Sequence, residues 1–126
     1  MAGTLTIDTL KASSGVLATQ NGMTGIAKAW ILYNSVAQTI TGSFNVSSVT
    51  YNGTGDFTIN FTTAMPNATY SAVGMSSDNN GGTTPNVLWT RDPTTARTTT
   101  AIRLGIYNLV VGATNSTANS VAVFSS

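Results

Sequence analysis

A short segment in the middle of the chain alternates strictly between apolar and polar side chains. Phe57, Ile59 and Phe61 fall on one side of an extended backbone, and Thr58 and Asn60 fall on the other. A period of two residues indicates a β-strand with one buried face, because a helix would spread the same side chains around its axis. We therefore predict that the three apolar residues of this segment face a core.

The residues before this strand predict a hairpin with an irregular first strand. The sequence NGTG, residues 52–55, lies between two apolar segments and contains residues that tolerate a positive φ. The apolar residues before it keep their alternation only if one residue is inserted near Ser47 and Ser48, which predicts a β-bulge there.

Short segments rich in β-branched residues continue along most of the chain, and none has helical periodicity over three turns. The predicted strands include residues 27–36, 69–75, 86–90, 98–111 and 120–124. About seven to ten short strands at this spacing predict an all-β fold, either an antiparallel β-sandwich or a jelly roll. The length of 126 residues fits one such domain.

The first part of the chain is predicted to be a separate arm. Residues 1–25 end in a joint rich in Asn and Gly, and the predicted β-sandwich domain then occupies residues 26–126. Leu5, Ile7 and Leu10 would give the arm an apolar edge, suited to strand addition on another subunit or protein. We therefore predict an anchoring role for these three residues.

The composition disfavours several classes of partner. Charged residues make up 7% of the chain and the net charge is +1, whereas an average soluble protein has roughly 25% charged residues. Such a surface has no long-range field that would attract a phosphate backbone, so we expect no nucleic-acid partner. Apolar stretches stay far below the roughly 18 residues of a membrane span, so we expect no membrane insertion.

Catalytic groups are scarce, and we predict that the protein is not an enzyme and uses no cofactor or metal. The acids are Asp8, Asp56, Asp78 and Asp92, and the sequence contains no Glu, His or Cys. A glycosidase needs two facing carboxylates, and a serine nucleophile needs a base, so neither chemistry is expected. Solvated positions in loops are the expected places for these scattered acids.

The longest segment of loop composition covers residues 76–85. Its sequence DNNGG, starting at Asp78, has the oxygen ligands and glycine of part of a calcium loop, but lacks the alternating acids and the closing Glu. Turn formation is the simpler interpretation. A long polar loop on a rigid sandwich is also a place where a ligand would be expected to bind.

The two tryptophans each have alternative interpretations. Trp30 lies in an apolar segment, where a core or subunit-interface role is favoured over a sugar platform. Trp89 lies near a strand end beside Arg91, where a ring and a guanidinium could meet a sugar or a partner, although packing is favoured. The candidate ligand-binding residues are Asp78, Asn79, Asn80, Trp89 and Arg91.

The segment from residue 30 to residue 33 places apolar side chains on both faces of one strand. A domain of this size has little interior to spare, so we expect another subunit to cover the second face. This pattern predicts self-association.

Three motifs occur in a fixed order along the first part of the chain. They are AKAW at residues 27–30, NVSSVTYNGTGDFTINF at residues 45–61 and AMPNATY at residues 64–70. Together they resemble a module of bacteriophage virion proteins, especially tail-fibre-like proteins of aquatic phages, in which AKAW, NVSSIT-NGTGDYT-NF and AM-x-x-A-x-Y recur in this order. The opening LTIDTLKASSGV is also similar to the start of such chains, so the likeness covers about residues 4–75.

The resemblance implies a structural protein located in the virion, without catalytic residues and expected as a homotrimer. One expectation is a tail fibre or receptor-binding tip that contacts a host-surface glycan or protein. The alternative is a head decoration or head fibre that studs or cements the capsid. Other copies of the chain and other virion proteins are the expected partners in both cases. The chain departs from the module after Trp30, where ILYNSVAQTITG stands in place of NFNGTGTVAIR, and after residue 75.

Overall fold

The structure, a computed structural model, describes residue 3 and residues 25–78, 84–91 and 96–125. Within these residues the chain forms nine β-strands and no helix. The strands are β1 (Ala29–Asn34), β2 (Thr39–Phe44), β3 (Val46–Gly53), β4 (Asp56–Phe61), β5 (Ser71–Ser76), β6 (Asn86–Thr90), β7 (Ala101–Asn108), β8 (Gly112–Ala113) and β9 (Asn119–Phe124).

The strands form two antiparallel sheets that pack face to face as a β-sandwich. Sheet A has the strand order β2-β1-β9-β5. Sheet B has the order β3-β4-β7-β6, and the short β8 pairs with β7. The predicted all-β class with a β-sandwich architecture is confirmed.

The core lies between the two sheets and is built from alternate residues of each strand. Phe57, Ile59 and Phe61 of β4 are all buried, so the prediction from their spacing is confirmed. Ile31 and Tyr33 of β1 face them from sheet A, and the rings of Tyr33 and Phe57 have centroids 5.2 Å apart. Burying apolar side chains from both sheets in one cluster removes their surface from water and holds the sheets together.

The hairpin of β3 and β4 turns at the NGTG sequence and contains the predicted bulge. The register of β3 against β4 shifts between Val46 and Ser48, which confirms the bulge. Gly55 has a φ of 66°, and a Cβ added there would lie 2.6 Å from the carbonyl oxygen of Ile106. Only glycine fits, because any side chain would be strained and would also collide with β7.

Asn45 forms the corner at which the chain passes from sheet A to sheet B. It is the residue between β2 and β3 and has a φ of 54°, which Asn tolerates better than most residues. Its side-chain amide donates to the carbonyl oxygens of Lys28 and Thr63 at 3.0 and 3.1 Å. Its Oδ1 accepts from the backbone N–H of Thr63 at 2.7 Å. The corner is therefore tied to the start of β1 and to the loop after β4.

Buried polar side chains close the end of the sandwich where the β1–β2 turn meets the loop before β9. The Ser35 hydroxyl donates to the carbonyl oxygen of Ser116 at 3.0 Å and accepts from its backbone N–H at 2.8 Å. The Asn119 amide donates to the carbonyl oxygens of Tyr33 and Ser116 at 3.0 and 3.2 Å. Because buried polar groups stabilise a fold only when they are paired, this network fixes the loops at this end.

The strand predicted over residues 98–111 is shorter in the structure and covers only Ala101–Asn108. After it, Leu109, Val110 and Val111 form an exposed turn. The side-chain oxygen of Asn108 accepts from the backbone N–H groups of Val110 and Val111 at 2.9 and 3.2 Å. These local hydrogen bonds end the strand although the following residues are apolar, which is why the apolar pattern overestimated its length.

The predicted division into an arm and a body lies partly outside the described residues. The strands of the sandwich run from Ala29 to Phe124, inside the predicted domain of residues 26–126. Leu5, Ile7 and Leu10 are not among the described residues. The arm and its anchoring role therefore stay predictions.

Candidate functional site

The outward side of sheet A carries apolar side chains on each of its four strands. Its side chains form two rows that cross the sheet by direct strand pairing, with Phe44, Trp30, Ala122 and Val73 in one row and Gly42, Leu32, Ser120 and Met75 in the other. We call these two rows the sheet A outer face.

Large side chains on the sheet A outer face are open to solvent. Trp30 is 44% exposed, Val73 is 56% exposed and Met75 is 79% exposed. The Trp30 indole lies against Gly42, where an added Cβ would be 3.4 Å from two of its ring atoms. The ring therefore lies along the outside of the sheet and not in the core.

The sheet A outer face is also free of charge. The four strands of sheet A contain no Lys, Arg, Asp or Glu residue. The prediction that β1 has apolar side chains on both faces is confirmed, since Ile31 and Tyr33 face the core while Trp30 and Leu32 face outward. Within the described part of the chain no element covers Trp30, and exposed apolar patches of this kind are often functional.

The outward side of sheet B carries an aromatic and charged cluster, formed by Asp56, Trp89, Arg91 and Arg103. Trp89 of β6 is paired with Gly105 of β7, and a Cβ at this glycine would lie 2.7 Å from the indole Nε1. The Arg91 guanidinium lies 5.6 Å from the centroid of the Trp89 ring, which is a cation–π distance. Trp89 therefore packs on the sheet and yet stays 41% exposed. We call this group the sheet B cluster.

Asp56 holds both arginines of the sheet B cluster. Its carboxylate accepts from Nε and Nη2 of Arg103 at 2.9 and 2.7 Å, and Nε of Arg91 lies 3.1 Å from its Oδ2. The hydrogen bonds from Arg103 lower the pKa of the Asp56 carboxyl, while burial opposes them and Asn52 and Arg91 add to the lowering. The expectation that the acids lie solvated in loops is wrong for Asp56, which is buried because it is paired.

Amide and hydroxyl side chains continue from the sheet B cluster across β4 and β3. The Asn52 amide donates to the Thr58 hydroxyl at 2.9 Å and to the Asp56 carboxylate at 3.3 Å. The Asn60 amide donates to the Ser48 hydroxyl at 3.1 Å. The same alternation that buries one side of β4 therefore covers its other side with groups that both donate and accept hydrogen bonds.

The loop predicted to bind a ligand is attached to the sandwich at both of its ends. The carbonyl oxygen of Ser77 accepts from the Asn86 amide at 2.6 Å, and the carbonyl oxygen of Thr84 accepts from the Asn108 amide at 3.1 Å. These contacts place the loop ends beside the first residue of β6. Trp89 lies three residues further along the strand, a distance of about 10 Å.

The structure therefore brings together only part of the predicted ligand site. Trp89 and Arg91 lie side by side in the sheet B cluster. Asp78 lies at the start of the loop, and Asn79 and Asn80 lie outside the described residues. That these three residues share a ligand with Trp89 stays a prediction.

The sequence alone does not predict that Asp56, Arg103 and Gly105 lie near Trp89. The alternation of β7 places Arg103 and Gly105 on the side opposite its buried leucine and isoleucines, so their outward position was readable from the sequence. Their contact with Trp89 and Asp56 was not readable, because it depends on β7 lying between β4 and β6.

In residues 25–78, 84–91 and 96–125, no three His, Cys, Asp or Glu side chains come close enough together to hold a metal ion. Nor does this part of the chain contain a helix long and apolar enough to cross a membrane. No protein-family model, curated protein or solved structure matches the chain.

Proposed function

We propose that the protein is a non-catalytic structural component of a bacteriophage virion that assembles with copies of itself through the sheet A outer face. A tail fibre or receptor-binding tip is the favoured place in the particle, and a head decoration or head fibre is the alternative. The observation that carries the proposal is the apolar, uncharged outer face of sheet A. The motif resemblance over residues 4–75 supplies the virion assignment and the expected trimer.

The extent of this face supports an assembly role. Each of the four strands of sheet A has six residues. With strands about 4.8 Å apart and residues about 3.3 Å apart, the eight residues of the sheet A outer face cover a flat area of roughly 250 Å². A patch of a few hundred Å² is close in size to the largest one on a typical monomer, and such patches are often functional.

A second copy of the chain is the occupant that the chemistry of the face favours. Two identical uncharged faces meet without like-charge repulsion, whereas a charged partner would bury its ionic groups against apolar side chains at a high cost. Symmetric association of identical chains is also the commonest form of protein assembly. Assembly through this face would bury Trp30, Val73 and Met75 together.

A structural role rather than an enzymatic one fits the chemistry of the described titratable groups. A general acid or base needs a pKa near the working pH. The pKa of the Asp56 carboxyl is instead lowered by Arg103, so at neutral pH this group stays an anion that holds two arginines. Its contacts serve to organise the outward side of sheet B.

The location in the particle is proposed from the motif resemblance. The NGTG hairpin of the motif is specific, and its likeness to tail-fibre-like proteins favours a tip over a head decoration. In either place, residues 1–25 are proposed to attach the body to another subunit or virion protein by strand addition.

Locating the chain in purified particles of the phage that encodes it tests the proposal. Antibody labelling in electron micrographs, combined with copy number from quantitative mass spectrometry, distinguishes the two places. A tip predicts label at the end of the tail and a few trimers in each particle. A head decoration predicts many copies spread over the capsid. Purified particles without the chain would contradict the virion role.

A further inference from the structure

We propose that the sheet B cluster binds a saccharide that carries a carboxylate, with Trp89 as the platform for the sugar ring and Arg91 as the partner of the carboxylate. The inference deepens the receptor-binding part of the proposed function and rests on it. It places the ligand on the open side of sheet B.

Trp89 is held in the position that a sugar platform needs. Because Gly105 has no side chain, the indole can lie low against β7, and an added Cβ would come within 2.7 Å of it. Tyr107 is two residues along β7 on the same side and is also exposed. Cross-strand diagonal neighbours of this kind lie about 7–8 Å apart, close enough for two aromatic rings to contact one ligand. The apolar side of a sugar ring packs on such a surface, while the cluster beside it offers polar groups.

The Arg91 guanidinium favours an anionic ligand. The Asp56 carboxylate pairs with both Arg91 and Arg103. Arg103 uses both Nε and Nη2 on Asp56, whereas Arg91 contacts it through Nε. Within the described part of the chain, no second acid pairs with the terminal nitrogens of Arg91. A guanidinium fork matches a carboxylate in geometry as well as in charge.

The surroundings of the cluster favour a saccharide over other anions. The net charge of the whole chain is only +1, so a long phosphate backbone would find too few cations. Amide and hydroxyl side chains from Asn52 to Ser48 border the cluster on β3 and β4. Sugar hydroxyls both donate and accept hydrogen bonds, as these side chains do.

The position of the cluster is compatible with the proposed assembly. It lies on sheet B, on the side of the sandwich opposite to the sheet A outer face. Association through sheet A would therefore leave one cluster exposed on every subunit. Several weak sites on one particle would bind a host surface tightly by avidity.

The test is an NMR titration of the purified protein with soluble monovalent sugars, so that avidity does not contribute. The probes are the methyl glycosides of galacturonic, glucuronic and N-acetylneuraminic acid, with those of galactose and glucose as neutral controls. At least one acidic glycoside should bind roughly tenfold more tightly than the neutral ones, the effect of one charge-assisted hydrogen bond. The shifted resonances should include the indole N–H of Trp89.

Matched variants identify the residues that cause the difference in affinity between acidic and neutral glycosides. Arg91→Gln should reduce the affinity for the acidic glycoside to that of the neutral sugar, while Arg97→Gln should leave it unchanged. Arg97 carries the same charge but donates to the Tyr70 carbonyl oxygen at 3.2 Å. Trp89→Ala should abolish binding, while Trp30→Ala should preserve it. Trp30 is a suitable control for Trp89 because each indole lies against a glycine. Trp89 is 41% exposed and Trp30 is 44% exposed.

Three results would overturn the inference. They are no binding of any acidic glycoside, equal affinity for acidic and neutral glycosides, and binding that survives both Trp89→Ala and Arg91→Gln in folded protein. Thermal unfolding of each variant verifies that it is folded. Oligomeric state is measured on the same samples, so the failure of sugar binding is separable from the failure of assembly. If the protein forms oligomers but binds no sugar, only the proposal of a saccharide site is contradicted.

Discussion

Asn45 shows how one residue combines backbone conformation and hydrogen bonding. Its φ of 54° turns the chain between the two sheets, and its side chain holds the neighbouring Thr63 and Lys28 backbone. A short polar side chain that tolerates this conformation and satisfies three hydrogen bonds explains why the position carries Asn.

We predict that Asn45→Ala lowers the free energy of unfolding by about 2–4 kcal/mol, from backbone strain and lost hydrogen bonds. Asn45→Gly should cost about 1 kcal/mol less, because glycine adopts a positive φ freely. Urea denaturation of both variants measures the difference. If both variants lose the same free energy of unfolding, the positive φ of residue 45 does not contribute to stability.

Asp56 gives a pH-dependent stability with a defined sign. Because Arg103 lowers the pKa of its carboxyl in the folded state, the carboxylate stabilises the fold above the ordinary pKa of 3.8. That stabilisation is lost as the pH falls through the lowered folded-state pKa. We therefore predict that the wild type loses free energy of unfolding below about pH 4.

The Asp56→Asn variant should show a flatter dependence in this range, measured by urea denaturation at several acidic pH values. The sequence has four Asp and no Glu, so few other carboxyl groups obscure the effect. Parallel curves for the variant and the wild type would exclude this role of Asp56.

The strands themselves were largely predictable, but the surfaces they form were not. The alternation of β4 predicted its buried side, and the irregular spacing near Ser47 predicted the bulge. Both signals are local, so the sequence contains them directly. The sheet A outer face and the sheet B cluster depend on which strands are neighbours, and β1–β9 and β4–β7 join residues distant in the sequence.

The local apolar pattern also predicted the end of one strand wrongly. The residues from Leu109 to Val111 continue the apolar character of β7, yet the side chain of Asn108 turns them away from the sheet. A side chain that bonds the backbone two and three residues onward outweighed β-propensity there.

Two glycines, one in each sheet, lie on the strand next to the one that contains a tryptophan, and they allow a prediction about how each indole packs. Gly105→Ala should displace the Trp89 indole, because the added Cβ would lie 2.7 Å from its Nε1. A cost of about 1–2 kcal/mol is expected for such overpacking. Gly42→Ala places its Cβ 3.4 Å from Trp30, an ordinary contact, so its effect should stay within about 0.5 kcal/mol.

Urea denaturation gives the two stabilities, and the indole N–H resonance reports the position of each tryptophan. A Gly105→Ala variant with unchanged stability and an unchanged Trp89 resonance would show that the indole does not rest on β7.

At the scale of the whole molecule, the two sides of the sandwich differ in chemistry. Sheet A presents apolar side chains without charge, and sheet B presents hydroxyl, amide and paired ionic groups. A monomer gains nothing from exposing Trp30, Val73 and Met75 to water, whereas an assembly gains by burying them. We therefore propose that sheet A serves assembly and that sheet B contacts the surroundings.

Self-association through the sheet A outer face can be measured by sedimentation of three proteins at micromolar concentration. Val73→Glu places a charge on this face, and Val87→Glu places the same charge on sheet B, where Val87 is 46% exposed. We predict oligomers for the wild type and Val87→Glu, and a 13.0 kDa monomer for Val73→Glu. A wild type that sediments as a 13.0 kDa monomer, or a Val73→Glu variant that stays oligomeric, would contradict the account.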